Sequence, residues 1–277
     1  MGLKNDVDQL KNIATLTAEQ KTALLKSLSK VKLLTPDFAN TKTAKSSVMF
    51  SGYVSYIMHL SPAEIGFKAL GRRGSLCPMA SQGCKAVCLN TAGRGRFNSI
   101  QESRLRKTLY FILFRNEFMS HLEKEIARLE INVSKQSKKL VLRLNGTSDI
   151  QFENIKLTSG LNIFGRFPDV QFYDYTKVVT RLPKLVNNPN YYVIFSASED
   201  NDANVKTALS LDFNVAMVFD KIPTSHNGIE VQSGDTHDFR FLDPKRGIIM
   251  GLNAKGKAKK DTSGFVRLTQ CNTLRAA

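Results

Sequence analysis

Three of the four cysteines of the chain lie within one short stretch, at Cys77, Cys84 and Cys88. Cys84 and Cys88 are four residues apart, so on a helical turn their sulfurs would lie on the same face. Cys77 precedes Pro78, which favours an extended backbone and lets the segment fold back over that turn. The spacing therefore predicts three thiolates that converge on one point and hold a soft metal, either zinc or the iron of an iron–sulfur cluster.

Two other interpretations of these cysteines stay open, namely three unrelated small apolar residues, or a disulfide with one spare thiol. A closed structural zinc site would need a fourth ligand, for which His59 and Cys271 are the candidates, and neither belongs to a paired motif. An open fourth position is simpler, and a cluster held by three cysteines has one. We therefore expect a [4Fe–4S] cluster, with zinc as the alternative metal.

The chain is strongly basic, with 40 Lys and Arg against 24 Asp and Glu, which gives a net charge of +16. Half of this excess lies in residues 68–107, the basic segment, which has nine basic residues and one acidic residue and also contains the three cysteines. Such an excess favours a polyanionic partner, most simply nucleic acid. The residues expected to contact it are Arg72, Arg73, Arg94, Arg96, Arg104 and Arg106.

The remaining composition indicates a protein of a reducing cytoplasm. No apolar run approaches the length of a membrane span, so no membrane partner is expected. The first residues are polar and lack the apolar core of a signal peptide. Four cysteines in 277 residues do not make a disulfide scaffold.

The pattern of the N-terminal half predicts a helical extension followed by one larger domain. Thr17 and Gln20 form a capping-box pattern, which predicts a helix that ends before Pro36. A polar loop should follow over residues 36–47, and a strand rich in β-branched and aromatic residues over 48–60. We expect an N-terminal helical extension at 1–47 and a single α/β domain at 48–277. Within the domain we expect a cysteine loop at 76–96 and one long helix from about 98 to 129.

The second half of the chain alternates between apolar strands and stretches that can be helical, such as residues 200–211. This alternation predicts a mainly parallel sheet. A complete or partial (β/α) barrel is the first expectation for this α/β chain, and an open doubly wound sheet is the second. The expected strands are residues 140–145, 170–175, 191–196, 214–219, 247–252 and 265–268, in addition to the strand at 48–60.

Polar residues follow several of these strands directly. In parallel α/β folds the chemistry lies at the carboxyl ends of the strands, so these residues should emerge on one rim. Asp149, Lys177 and Glu199 would share a pocket there and act in catalysis. Alternatively, each cluster is a solvated loop or a helix cap. The residues expected to bind a cofactor are Asn145, Ser148, Asp174, Ser196 and Ser198.

The stretches CPMASQGCKAVCLNTAGRGR, LRLNGTSDI, FPDVQFYDYTK, FSASEDN, HDFRFLDP and GIIMGLNAKGKAKKD are together similar to a bacteriophage and plasmid family, gene product eighty-eight, over about residues 48–265. If the chain is encoded by a phage, the expected cytoplasm is that of the bacterial host. Three cysteines after the first strand of a barrel also resemble, more distantly, the radical S-adenosylmethionine superfamily. That resemblance implies a [4Fe–4S] cluster with one iron open to S-adenosylmethionine. The spacing here is C-x6-C-x3-C instead of C-x3-C-x2-C, and the polar segment 145–149 would stand in for a missing Gly-Gly-Glu stretch.

Three functions are compatible with these features. The first is a radical S-adenosylmethionine-like enzyme that acts on a nucleic acid or a nucleotide. The second is a nucleic-acid-binding protein without catalysis, in which a structural zinc or cluster staples the fold. The third is a counter-defence protein that binds a host factor, which fits a phage origin but has no residue signature. The metal that the protein carries would separate the first two most directly.

Overall fold

The computed structural model describes residues 11–36 and 41–269. In these two stretches no helix combines the length and the apolar character that crossing a bilayer requires. The α-helices there are α1 Ala18–Leu28, α2 Thr41–Met49, α3 Ile65–Ala69, α4 Gln82–Ala86, α5 Asn98–Leu113, α6 Arg115–Ser134, α7 Ile163–Arg166 and α8 Asp202–Ser210. The strands are β1 Leu34–Pro36, β2 Tyr53–Met58, β3 Lys139–Arg143, β4 Gln171–Thr176, β5 Tyr191–Ser196, β6 Val215–Phe219, β7 Ser225–His226, β8 Ile229–Ser233, β9 Ile249–Asn253 and β10 Val266–Arg267.

The strands form one mixed sheet that is mostly parallel, in the order β1-β2-β3-β4-β5-β6-β9-β8-β7, with β10 paired to β6. Neighbours from β2 through β6 to β9 and β8 are parallel, whereas the β1–β2 and β7–β8 pairs are antiparallel. The carboxyl ends of β2 to β6 therefore lie along one edge of the sheet, the carboxyl rim. This arrangement confirms the predicted mainly parallel α/β sheet.

A closed barrel is not formed. Closure requires the first and last strands of the sheet to pair. In the described residues β1 and β7 occupy the two ends of the sheet, and each pairs only with its one neighbour. Strands that follow each other in sequence from β2 to β6 nevertheless lie side by side, so the sheet keeps the order of a barrel without its closure.

Side chains alternate between the two faces of the sheet, as the pleat requires. Phe172 and Val193 belong to the larger core cluster, together with Phe118 of α6. Tyr173 and Ile194 point to the other face and belong to a second cluster. Aromatic side chains of residues 239–241 cover that face, so the sheet is buried on both sides and its strands read as continuous apolar runs.

The six strands predicted in the second half are all present, each with bounds within two residues of the prediction. The single helix predicted for residues 98–129 is instead two helices, α5 and α6, which meet at Phe114. Phe114 leaves the helical region with φ −134° and ψ 58°. The break lets α6 fold back, so that the Phe118 ring packs on Tyr110 and Phe111 at 5.3 and 5.2 Å between centroids.

The N-terminal prediction is correct for α1 and wrong for the segment that follows. Thr17 and Gln20 form the expected capping box. The loop predicted over residues 36–47 is helical from residue 41, and the strand predicted from residue 48 begins at residue 53. Tertiary contacts explain the helix, because the Ser46 hydroxyl accepts the N–H of Asp238 (2.7 Å) from the distant loop that covers the sheet.

Candidate functional site

The cysteine loop follows β2 and α3 at the carboxyl rim. Cys77 lies in a turn that the Ala80 N–H closes by donating to the Cys77 carbonyl (3.1 Å). The Ser81 hydroxyl then caps α4 by accepting the N–H of Cys84 (3.1 Å). Cys84 is thus in the body of α4, and Cys88 comes just after the helix ends, so local capping decides how the second and third thiols are presented.

The three thiols line one cavity of about 250 Å³, the cysteine cavity. This volume is that of roughly eight water molecules, so it exceeds the space that one ion needs. All three sulfurs are free thiols, which removes the disulfide interpretation for this structure. The other residues of the wall come from the segment after β2, from the cysteine loop and from the C-terminal part of the chain, namely residues 62–65, Ala80, Lys85, Ala86, Asn90, Thr91 and Lys257.

Backbone donors and cations surround the thiols. The Ala63 N–H donates to Cys77 Sγ (3.4 Å), and the Asn90 N–H interacts with the Cys88 thiol. Burial raises the pKa of Cys77 to about 12 and also raises the pKa of Cys88, against which the charges of Arg104 and Lys177 act. The protein environment therefore keeps these thiols protonated, and a cation bound in the cavity would stabilise their thiolates.

The expectation that the three thiols converge on one point is not met. Among the described residues, no group of three or more His, Cys, Asp or Glu side chains is placed so that it could hold a metal ion. His59 is not part of the cavity wall; burial lowers its pKa to about 3. Cys271, the other candidate for a fourth ligand, lies outside the described residues. The three cysteines share one cavity wall without forming such a group.

The three residues predicted to be catalytic all lie on the carboxyl rim, but none of them lines the cavity. Lys177 comes nearest to the expected role. Its ammonium donates to the Ser196 hydroxyl (2.6 Å) and lies 5.6 Å from the centroid of the Phe265 ring. The Lys177 charge also acts to lower the pKa of Cys88, against the larger effect of burial.

Glu199 braces the helix that carries Cys84. Its carboxylate accepts the Gly83 N–H (2.6 Å) and the Ser81 hydroxyl (2.8 Å) at the N-terminal end of α4. A Cβ atom at Gly83 would lie 2.8 Å from the Glu199 carboxylate carbon, so the close approach requires glycine. The position of Glu199 after β5 marks it in the sequence, but only the tertiary structure shows that its carboxylate binds the cysteine loop.

Asp149 connects the cysteine loop to a buried ionic network. Its N–H donates to the Leu76 carbonyl (2.7 Å), and its carboxylate accepts the Thr176 hydroxyl (2.7 Å) and the Lys177 N–H (2.8 Å). Arg181 Nη1 lies 3.2 Å from the same carboxylate. Burial raises the pKa of Asp149 above its usual value, although these hydrogen bonds and the Arg181 charge oppose the shift.

Arg181 and its partner Glu153 were not predicted as site residues, because no local pattern in the sequence marks either of them. Arg181 donates from Nε and Nη2 to the two carboxylate oxygens of Glu153 (2.8 and 2.6 Å) and from Nη2 to the Tyr191 hydroxyl (2.9 Å). Such bidentate pairing suits the planar guanidinium. The network fixes the polar segment 145–149, whose Thr147 carbonyl lies 3.8 Å from Cys77 Sγ.

Four of the five residues predicted to bind a cofactor are hydrogen-bonded within the protein, Asp174 inside β4 and the others in the loops that follow β3 and β5. The fifth, Ser196, accepts the Lys177 ammonium, as described above. Asn145 donates its N–H and its amide to the Asp174 carboxylate (2.7 and 3.1 Å) and accepts the Ser148 hydroxyl (2.9 Å). Burial raises the pKa of Asp174 to about 7. The Ser198 hydroxyl donates to Asp200 (2.9 Å). These bonds shape the loops that support the cavity.

The six arginines of the basic segment divide into two groups. Arg104 is buried and donates to the carbonyl and the side chain of Asn90 (2.6 and 2.7 Å), so it holds the cavity wall. Arg106 donates to the carbonyl and the hydroxyl of Ser27 (both 3.3 Å) and so packs α5 against α1. The arginines exposed to solvent are Arg72, Arg73, Arg94 and Arg96.

Comparison with known proteins gives one match. The model of the family described as Gene product 88 matches residues 26–268, which span the sheet, the cysteine loop and the basic segment. No curated protein matches the chain, and no solved structure does.

Proposed function

The chain belongs to the gene product 88 family, and for this protein we propose an iron–sulfur function at the cysteine cavity, with nucleic acid or nucleotides as partner or substrate. The observation that carries the proposal is that three free thiols line one cavity. Cys77, Cys84 and Cys88 would each bind a different iron of a [4Fe–4S] cluster. A bound cluster would supply electron-transfer chemistry and one open iron, at which S-adenosylmethionine could bind.

The residues around the cavity suit such a group. Hydrogen bonds to thiolate sulfur tune the potential of a cluster, and backbone N–H groups face the sulfurs of Cys77 and Cys88. Arg104 and Lys177 place positive charge beside Cys88, where a cluster held by thiolates would add negative charge. Burial, which now disfavours the thiolates, would exclude water from the bound cluster.

Iron–sulfur chemistry suits this donor set better than a single zinc ion. Structural zinc needs four ligands that meet at one ion, with sulfurs at about 2.3 Å. Among the described residues no such group is present, and His59 is not part of the cavity wall. In a cluster each thiolate binds a separate iron, so three cysteines of one cavity can act as ligands without meeting at a single point.

Lys177 is the residue that we infer to contact an anionic substrate or cofactor. Its ammonium is held by an uncharged partner, the Ser196 hydroxyl, and its charge acts on the cavity. The carboxylates of Asp149 and Glu199 are instead bound by groups of the protein. The carboxylate of Glu199 therefore positions the cysteine loop, and that of Asp149 positions the backbone of Lys177.

Purification without oxygen tests the proposal. The protein should be brown, should contain iron and sulfide in equal amounts, and should lose its broad absorbance on addition of dithionite. Addition of S-adenosylmethionine should change the electron paramagnetic resonance spectrum of the reduced cluster if the open iron binds that cofactor. Colourless protein with one zinc per chain would reject the cluster, whereas a cluster whose spectrum does not respond would reject only the radical enzyme.

Neutralising two exposed arginines should weaken nucleic-acid binding. We expect the double variant Arg94→Gln/Arg96→Gln to bind nucleic acid more weakly at low salt, because it loses contacts to phosphates. Each lost contact should also reduce the magnitude of the slope of log K against log [salt] by about 0.7–0.9. The slope is measured by titrating labelled DNA and RNA at several salt concentrations. The matched control Lys184→Gln/Lys206→Gln removes the same charge from exposed positions outside the basic segment. Equal losses in both variants would show that only net charge matters.

A further inference from the structure

The cysteine loop leads into an exposed aromatic residue flanked by arginines. Phe97 directly precedes α5 and keeps 52% of its surface exposed. Arg94 and Arg96 are also exposed, and the Arg96 guanidinium carbon lies 5.7 Å from the centroid of the Phe97 ring. An aromatic face and two cations are thus presented side by side at the protein surface.

The protein holds this surface in place beside the cysteine cavity. Gln101 donates its amide to the carbonyls of Asn90 (2.8 Å) and Gly95, which ties the two short turns before α5 together. Arg104 donates to the same Asn90 carbonyl (2.6 Å). Asn90 is part of the cavity wall, so Phe97 is fixed a short distance along the chain from the cavity. Leu89, 63% exposed, adds apolar surface to the same loop.

Stability of the helix does not account for a phenylalanine at this position. The residue before a helix is usually Asn, Asp, Ser or Thr, whose side chain caps a free N–H, and Phe97 provides no such cap. The first turn of α5 also contains no acidic residue, although one would be favoured there. The exposed part of the ring also gains no hydrophobic stabilisation from burial. A partner that combines negative charge with flat apolar faces would interact favourably with both the uncapped start of α5 and the exposed Phe97 ring.

We propose that this surface binds single-stranded nucleic acid, with a base stacked on Phe97 and phosphates on Arg94 and Arg96, so that the strand runs beside the cysteine cavity. The inference rests on the proposed nucleic-acid partner and specifies its form. In a duplex the base faces are covered by neighbouring bases, so a protruding ring reaches them only at the cost of unstacking a base step. An unpaired base offers its face to an aromatic side chain whatever its sequence.

The variant Phe97→Ala should weaken binding of a single strand and leave duplex binding unchanged. Loss of one stacked base corresponds to roughly a 5- to 150-fold increase in Kd. The probes are short labelled single strands of mixed-sequence DNA and RNA and the duplexes of the same sequence, titrated at low salt and followed by fluorescence anisotropy. Wild-type protein should bind each single strand more tightly than its duplex.

Two further variants control for this result. Phe97→Tyr keeps the aromatic face and should bind single strands like the wild type. Val186→Ala truncates another exposed apolar side chain, 48% exposed, which precedes β5 at the opposite edge of the sheet, and should also bind like the wild type. A Phe97→Ala protein with wild-type affinity for single strands, or an equal loss for single strands and duplexes, would overturn the inference.

The arginine variants separate this inference from the proposed function. If Arg94→Gln/Arg96→Gln weakens binding and Phe97→Ala does not, the nucleic-acid partner stands and the stacking surface is rejected. If neither DNA nor RNA of any form binds the wild-type protein at low salt, the nucleic-acid part of the proposed function is rejected together with the inference. In that case the metal content still tests the cluster independently.

Discussion

The variants Cys77→Ala, Cys84→Ala and Cys88→Ala are each expected to lose the iron and the colour of the anaerobically purified protein almost completely. The reason is that the cavity wall contains no other cysteine and no histidine among the described residues, and its carboxylate, Glu64, is paired with Lys85 (2.6 Å). In each variant only two thiolates would remain to hold a cluster that three cysteines bind in the wild type, one at each of three irons. Iron and sulfide per chain, together with the visible absorbance spectrum, measure the loss.

The control for these variants is Cys271→Ala, which removes the remaining cysteine of the sequence and should keep the full iron content. Alanine replaces a small side chain, so the iron-free proteins should unfold in urea within roughly 1 kcal/mol of iron-free wild type. This comparison separates loss of the cluster from loss of the fold. A cysteine-loop variant that keeps its full iron would remove that thiol from the ligand set.

The variant Arg181→Met should lower the free energy of unfolding by about 3–5 kcal/mol, because it leaves buried carboxylates without their counter-charge. The Arg181 side chain is 1% exposed and pairs with Asp149 and with both oxygens of Glu153. Methionine fills much of the volume but donates no hydrogen bond. The loss should reach the cavity too, since Asp149 bonds the backbone of Leu76, next to Cys77.

Urea unfolding of Arg181→Met is compared with that of Arg166→Met. Arg166 also pairs with a glutamate, Glu123 at 2.8 Å, but its side chain is 45% exposed, so solvent screens the pair. Removing such a surface pair should cost about 0–1 kcal/mol. Similar losses in the two variants would contradict the view that the buried network supports the cysteine loop. Lower iron content in Arg181→Met, at a urea concentration where the protein stays folded, would support that view.

Several features of this protein were determined by the sequence alone, because they depend on interactions between near neighbours. The capping box at Thr17 places the start of α1. Apolar runs between polar turns place the strands of the second half, since a strand buried on both faces needs an uninterrupted run. The parallel order of those strands then puts Asp149, Lys177 and Glu199 on one rim. The clustering of three cysteines likewise marks the cavity that they line.

Other features were decided only by contacts between distant parts of the chain. Arg104 belongs to the same basic segment as Arg94, yet it is buried because Asn90 folds back onto α5. The polar segment of α2 is helical where Ser46 accepts a hydrogen bond from the distant loop around Asp238. Glu199 binds Gly83 from more than a hundred residues away. Charge and periodicity indicate which residues can be polar, apolar or helical, but the partner that satisfies a buried charge or a free N–H is chosen by packing in three dimensions.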